Sequence, residues 1–404
     1  MVDEEDVEHL RDMASEVPVI RLVNQMLSRA LESRASDIHL EPFENQLNVR
    51  YRIDGILHEM ESPQRQLKAA IISRLKILAQ LNIAERRLPQ DGRIKVKIAG
   101  RDVDLRIATI PTLYGESVVI RLLERSQIFG DLASLGFPPD MLQRFNEMIS
   151  KPHGMILVTG PTGSGKTTTL YGALQKINDP GKKIITIEDP VEYQLSGVNQ
   201  IQVKPQIGLT FANGLRSIVR QDPDIIMVGE IRDFETAEIA VQAALTGHLV
   251  FSTLHTNDAS GAVSRLLEMG VQDYLLASSL LGVLAQRLVR RLCLSCRRET
   301  PFSNLRSQIS DLRFQNGDQP RTLWEANGCD SCAGTGYIGR VGIFELLPAT
   351  PEICKLIVQR ADAGSIRSLA LTQGVRLLRE DGWQKARAGV TTLAEVLRVT
   401  REEG

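Results

Sequence analysis

The chain has 404 residues, 43% hydrophobic and 24% charged, with a formal net charge of -1. That balance suits a folded protein of two or three domains and excludes a disordered chain. The near-neutral charge and 4% aromatic content leave no global basic field and few stacking platforms, which counts against nucleic acid as a partner.

The amino terminus is acidic, with Asp3, Glu4, Glu5 and Asp6, where a secretory signal would be basic and then apolar. Residues 1–125 read as an α+β domain. A helical stretch covers Val19–Leu31, and short strands follow near Asp37–Leu40, Leu47–Ile53 and Ile56–Met60. Leu67, Ile71, Leu75, Leu78 and Leu81 recur at steps of three and four, which predicts an amphipathic helix. Arg65, Lys68, Arg74 and Lys76 mostly fall on its other side. Arg93–Ile98 and Asp102–Ile107 alternate about Ala99-Gly100 as the two arms of a hairpin, and Ser117–Leu123 adds a strand.

Gly130, Gly136, Pro138 and Pro139 mark a linker over 126–139. Beyond it, over 140–289, short apolar runs alternate with helical stretches, as in a parallel sheet covered on both faces. The runs are Met155–Thr159, Ile184–Ile187, Ile225–Val228 and Leu249–Leu254. The longest mid-chain stretch free of acidic and basic residues, Ile239–Asn257, holds Gln242, His248, His255 and Asn257, too polar to span hydrocarbon. Any membrane link is therefore expected to go through partners. Two cysteine pairs occupy 290–335, and 336–404 reads as a helical region in which Thr392-Leu-Ala-Glu395 forms a capping box.

Gly160-Pro161-Thr162-Gly163-Ser164-Gly165-Lys166-Thr167 matches the phosphate-binding pattern G-x-x-x-x-G-K-[ST] in full, with Thr168 opening the helix after it. The glycines let backbone N–H groups turn around phosphate oxygens, and the following helix offers its positive end to the same anion. Lys166 should reach the β- and γ-phosphates of ATP, and Thr167 should bind Mg²⁺. The other apolar runs end in polar loops: Glu188-Asp189-Pro190-Val191-Glu192, Gly229-Glu230-Ile231-Arg232-Asp233 and His255-Thr256-Asn257-Asp258. In an open parallel sheet such ends line one crevice. Glu230 is the candidate for orienting the attacking water. Glu188, Asp189 and Glu192 either hold Mg²⁺ through water or form a charged turn. His248 and His255 are about 23 Å apart along an extended strand, too far to share a metal. They are expected to brace its two ends, with His255 nearer the nucleotide.

Cys293/Cys296 and Cys329/Cys332 supply four thiolates suited to a closed, structural Zn²⁺ site, with Arg290, Arg291, Arg297 and Arg298 near to offset its charge. Cys354 is left as a buried core residue. An odd cysteine count without a secretion signal argues for a reducing compartment.

These boxes together resemble the type II/type IV secretion and pilus-assembly ATPase superfamily. The resemblance rests on the Walker A loop, the aspartate box Thr186–Glu192, the Walker B segment Asp224–Glu230, the histidine box Thr246–Thr256, and Ala35–Pro42 ahead of the core. Gly282–Val289 followed by the cysteine pairs is nearest the type II secretion branch. The resemblance implies ATP hydrolysis coupled to domain motion, in a homohexamer acting on an inner-membrane secretion platform. The alternatives are a type IV pilus assembly ATPase and a nucleic-acid uptake or helicase-like motor. It also implies phosphate-sensing roles for Arg106 and Arg121 in the first domain and for Arg216, Arg220 and Arg232 in the core, with ATP between the two domains or at a neighbouring subunit's edge. For Arg106 the other reading is an outward residue on an amphipathic strand. The family's further N-terminal docking domain has no counterpart in these residues, so docking through it is not carried over. The expected fold class is α/β: a RecA-like P-loop NTPase core, preceded by an α+β domain and followed by a tetra-cysteine zinc module and a helical tail.

Overall fold

The computed structural model describes residues 4–124, 131–302 and 322–400. The last residue of the expected first domain (125), part of the expected linker (126–130) and part of the cysteine module (303–321) lie outside these residues. The chain divides into two compact units, Met1–Ile128 and Phe129–Gly404.

In the first unit, α1 (Glu4–Ser15) and α2 (Val17–Glu32) precede β1 (Ala35–Pro42), β2 (Leu47–Ile53) and β3 (Ile56–Glu59). Then come α3 (Lys68–Leu78), β4 (Gln90–Ile98), β5 (Arg101–Thr112) and β6 (Gly115–Glu124). The six strands form an antiparallel sheet in the order β3-β2-β1-β6-β5-β4. One face buries Ile38, Leu40, Val49, Leu105, Ile107 and Ile120 against Val19, Val23 and Leu27 of α2 and Ile71 and Leu75 of α3. The expected hairpin forms between β4 and β5, with Ala99 and Gly100 both at positive φ, as a two-residue turn matched to strand twist requires.

Two charges depart from the expected pattern. Lys76 does not lie on the solvent side of α3. It is 1% exposed, and its Nζ donates to Glu116 Oε1 at 2.7 Å and to the Glu85 carbonyl at 2.6 Å. Asp104 lies on the face opposite Leu105 but is buried because Arg93 binds its carboxylate. Leu81 falls beyond the end of α3, where Gln80 takes a positive φ.

The second unit opens with α4 (Pro139–Ile149), β7 (Gly154–Thr159), α5 (Lys166–Ile177), β8 (Ile184–Glu188) and β9 (Val198–Gln202). It continues with α6 (Phe211–Ile218), β10 (Ile225–Val228), α7 (Phe234–Leu245), β11 (Leu249–Leu254), α8 (Ala259–Glu268) and α9 (Asp273–Ser279). Next are β12 (Leu280–Leu292), the short ladder β13 (Arg298–Pro301) and β14 (Thr322–Glu325), and β15 (Tyr337–Pro348). The chain ends with α10 (Pro351–Val358), α11 (Ala363–Thr372), α12 (Leu378–Arg387) and α13 (Leu393–Thr400). Seven strands form one sheet in the order β15-β12-β7-β11-β10-β8-β9, parallel except for β15. Every residue of β7, β8, β10 and β11 is buried. Alternation still operates: Met155 and Leu157 join the core on one face, and Ile156 and Val158 the core on the other.

The region expected to be wholly helical after residue 336 instead begins with β15, which pairs along β12 from Pro348 opposite Gly282 to Tyr337 opposite Leu292. The capping box is half formed. Thr392 Oγ1 accepts from Glu395 N, but the Glu395 carboxylate binds Arg290 and Arg398 instead of reaching back. Burial works to raise that carboxyl, yet the hydrogen bonds from Arg398 and Arg290 prevail and hold it at about 2. Among the described residues, no helix is long and apolar enough to cross a membrane.

Candidate active site

The carboxyl ends of four parallel strands are stitched together by their own loops. Gly229 N donates to the Ile187 carbonyl at 2.8 Å, and Ile231 N to that of Thr253 at 3.0 Å. Thr253 Oγ1 donates to the Gly229 carbonyl at 2.7 Å, and Thr256 N to Thr159 Oγ1 at 3.0 Å. The expected convergence is thus a set of direct contacts within one unit.

After β7 the chain turns through Gly160, Gly163 and Gly165 at φ +149°, +79° and +89°, conformations that side chains oppose. Lys166 starts α5, and its Nζ donates back to the Gly160 and Pro161 carbonyls at 2.7 and 3.1 Å. Burial pulls this ammonium down to about 8, against the charge of Glu230 and with the help of Arg287. Thr167 is exposed beside it and Thr168 half-buried.

Glu230 follows β10 and its glycine. Arg232 Nη2 lies 2.5 Å from its Oε1, and His255 Nε2 lies 3.3 Å from its Oε2. Burial favours the neutral acid, but the Arg232 hydrogen bond and charge, with His255 adding to them, outweigh it and hold the carboxyl below its usual range. Glu230 is therefore an anion at neutral pH, fixed at both oxygens. His248 sits at the other end of β11, where Nδ1 meets the Ala243 carbonyl at 2.9 Å, a bracing position.

Other candidates are placed differently. Glu188 does not offer its carboxylate to a hydrated Mg²⁺. It is 3% exposed, and Thr186 Oγ1, Gln200 Nε2 and the Tyr171 hydroxyl occupy its oxygens. Burial raises its pKa, opposed by those hydrogen bonds. Asp189, exposed, and Glu192, half-buried, are the accessible carboxylates of that loop, whose Asp189-Pro190 bond is cis. Arg216 is tied to Glu235 at 2.5 Å. Arg220 lies in a 3₁₀ turn whose last residue, Gln221, is bound by Lys183 just ahead of β8, at the amino-terminal side of the sheet. Within one chain neither arginine is drawn to the P-loop. In the first unit Arg106 and Arg121 are register partners on β5 and β6, and Arg121 Nε donates to buried Asp37 at 3.0 Å.

Sequence reasoning missed two side chains near the P-loop. Gln286, on β12, bonds the Ser164 carbonyl and Thr169. Arg287 donates through Nη2 to the Asn257 carbonyl and Oδ1 at 3.1 and 3.0 Å, while its buried Nη1 has no hydrogen-bond partner among the described residues. The available signal was a polar pair, Gln286-Arg287, interrupting the apolar run Leu280–Ala285.

The four cysteine sulfurs lie within 4.8 Å of one another, with neighbours at 3.7 to 3.8 Å. Tetrahedral coordination with bonds of about 2.3 Å sets sulfurs about 3.8 Å apart, so the donor set fits Zn²⁺. The N–H groups of Cys329 and Gly336 donate to Cys332 Sγ at 3.1 Å each. Three of the arginines expected near the cluster have partners of their own. Arg290 stacks on Tyr337, Arg297 on Trp324, and Arg298 approaches Glu325. Cys354 is half-buried, with Sγ 3.3 Å from the Ala277 carbonyl.

The profile of the family described as "Type II/IV secretion system protein" matches residues 12–398. The chain belongs to the type II/IV secretion system protein family. It is 57% identical over 398 residues to the "Type II secretion system protein E" of Xanthomonas campestris pv. campestris, covering 98% of this chain and 70% of that one. It is 49% identical over 399 residues to the "Type II secretion system ATPase E" of Vibrio cholerae, covering 98% and 78%. Among solved structures it resembles the pilus retraction motor PilT with bound ADP at 26% identity, TM-score 0.62, covering 94% and 97%. The Legionella pneumophila ATPase DotB shares the fold at 20% identity, TM-score 0.67, covering 94% and 95%. The secretion-family core thus combines a P-loop, a clamped acidic residue and a tetra-cysteine cluster in one unit.

Proposed function

We propose that the chain is an ATP hydrolase whose turnover drives domain motion and so powers pseudopilus assembly and protein export by a type II secretion system. The observation that carries this is the placing of a P-loop lysine and an ionised, doubly held Glu230 at strand ends on either side of β11. Lys166 takes the β- and γ-phosphate oxygens, and the loop's N–H groups cradle the rest. Thr167, with Asp189 and Glu192 of the loop after β8, would hold Mg²⁺. The ion, when bound, neutralises phosphate charge. Glu230 orients the attacking water, and His255 and Arg232 fix that carboxylate in place. Phosphoryl transfer needs positioning and charge stabilisation more than a strong base, which suits an ionised group held by Arg232 and His255.

The relatives named for type II secretion support the export role. A type IV pilus motor is the second reading, favoured by the likeness to PilT. In either case the chain works as a cytoplasmic homohexamer against inner-membrane partners, with Arg106, Arg121, Arg216 and Arg220 answering to nucleotide state. The four cysteines hold a structural Zn²⁺.

Phosphate release and nucleotide titration test the reading together. Lys166→Ala should abolish ATP binding. Glu230→Gln should keep binding and lose turnover by about a hundredfold or more. Parent-like turnover in Glu230→Gln would remove the role given to that carboxylate.

A further inference from the structure

Gln286 stands on β12, directly beyond the last register pair between β12 and β7, Ala285 with Thr159. It therefore lies beside the point where β7 gives way to the P-loop. The side chain is 2% exposed and makes two hydrogen bonds across the strand–helix gap. Nε2 donates to the Ser164 carbonyl at 2.7 Å, and Oε1 accepts from Thr169 Oγ1 at 2.8 Å. Ser164 and Thr169 are themselves 3% and 2% exposed. The amide orientation is determined, because a backbone carbonyl can only accept, so the amino group faces Ser164 and the oxygen faces the Thr169 hydroxyl.

Contact with the loop is close on both sides of that bond. A Cβ added at Gly160 would stand 2.5 Å from the Gln286 carbonyl, and one at Gly165 would stand 3.1 Å from its Nε2. Gly160 is thus required by packing against the backbone of this residue as well as by φ, and Gly165 packs closely against its side chain. In a trans peptide the C=O and N–H point in opposite directions. A donor that draws the Ser164 carbonyl toward β12 therefore turns the Gly165 N–H away from β12, toward the phosphate side of the loop.

We propose that Gln286 is a positioning residue for nucleotide binding: it fixes the Ser164–Gly165 peptide so that the Gly165 N–H faces the β-phosphate, and the Thr169 hydroxyl anchors its amide oxygen. This rests on the nucleotide reading above and deepens it. The residue touches no nucleotide atom. It acts through a peptide group whose other end does, and an isosteric change that reverses its donor should reverse the peptide.

Gln286→Glu keeps the shape and replaces the donor by an acceptor facing the Ser164 carbonyl. ADP and AMP affinities of the full chain are measured by calorimetric titration, with thermal unfolding alongside. The expected result is a tenfold or greater loss of ADP affinity and a smaller loss for AMP, which lacks the β-phosphate, with the unfolding midpoint near that of the parent. Thr169→Val removes only the hydroxyl that anchors the amide oxygen, and it should shift ADP affinity in the same direction by about threefold. ADP affinity within twofold of the parent in Gln286→Glu overturns the proposal, as does an equal loss for ADP and AMP, which marks a merely structural role. Should Gln286→Glu fail to fold, Thr169→Val decides alone, and unchanged ADP affinity there overturns it. A parent protein that binds no ADP defeats the nucleotide reading along with this one, whereas normal parent binding with an indifferent Gln286→Glu defeats only this one.

Discussion

Arg232 Nη2 lies 2.5 Å from Glu230 Oε1, two residues away on the loop that follows β10. The contact is short because Gly229 and the Ile231 N–H, anchored to Thr253, fold the loop back over the strand end. Of the influences that hold the Glu230 carboxyl low against burial, the Arg232 hydrogen bond is the largest. Removing the guanidinium raises that pKa. Arg232→Ala is therefore expected to lower turnover and to move the acid limb of the pH–turnover profile to higher pH. A profile with an unshifted acid limb would separate Arg232 from the ionisation of Glu230.

Lys166 carries its own pH dependence. With the ammonium at about 8, the free protein loses that charge within the mildly alkaline range. Phosphate favours the protonated form, so binding above about pH 8 must take up a proton. ADP affinity should hold between pH 6.5 and about 7.5 and then fall, approaching about tenfold per pH unit. Titrations in buffers of different ionisation heat at pH 8.5 should register the proton uptake. A flat affinity up to pH 9.5 would contradict the buried, lowered lysine.

Serine at Cys293, Cys296, Cys329 and Cys332 removes all four soft donors. One zinc per chain is expected in the parent and none in the variant, with β12 and β15 losing their tie at the Leu292–Tyr337 end. Elemental analysis and hydrogen exchange of residues 287–292 and 337–341 measure both effects. A parent free of metal, with unchanged exchange in the variant, would reduce the cluster to four thiols.

In the first unit, Lys76 and Glu116 form an ion pair with side chains 1% and 7% exposed. Lys76→Met strands a buried carboxylate and should cost about 3–5 kcal/mol in denaturant unfolding. Lys76→Met combined with Glu116→Leu should recover most of that loss. If the double variant were no better than the single one, the pairing would not be the source of the stability.

Arg121 is held through Nε by Asp37, which leaves its remaining guanidinium nitrogens for other partners. Under the phosphate-sensing reading, Arg121→Ala lowers turnover with ADP affinity within about twofold of the parent. Lost binding there would argue for a ground-state contact.

Much of the site was legible because its information is local. The P-loop pattern needs only spacing, since glycine conformations and a helix start are decided within eight residues. Buried parallel strands announce themselves as continuous apolar runs, and so β7, β8, β10 and β11 were found close to their true limits. The edge strand β9, Val198–Gln202, carries two glutamines and an asparagine, and nothing in its composition marked it. β15 was hidden for a different reason. Its partner β12 is distant in sequence, and pairing across such a gap leaves no local period.

The sequence by itself determined the chemistry of the parts: which loop carries the G-x-x-x-x-G-K-[ST] pattern, which carboxylates follow strands, and which cysteines stand in pairs. Residue type and near-neighbour spacing are enough for that. Only the tertiary structure decided which of those groups face one another. Glu188 turned inward to Tyr171 and Thr186, Lys76 went under α3 to reach Glu116, and Gln286 came from another strand to hold the P-loop. Each outcome balances desolvation of a polar group against hydrogen bonds from residues far away in sequence, and that balance exists only once the strands are assembled.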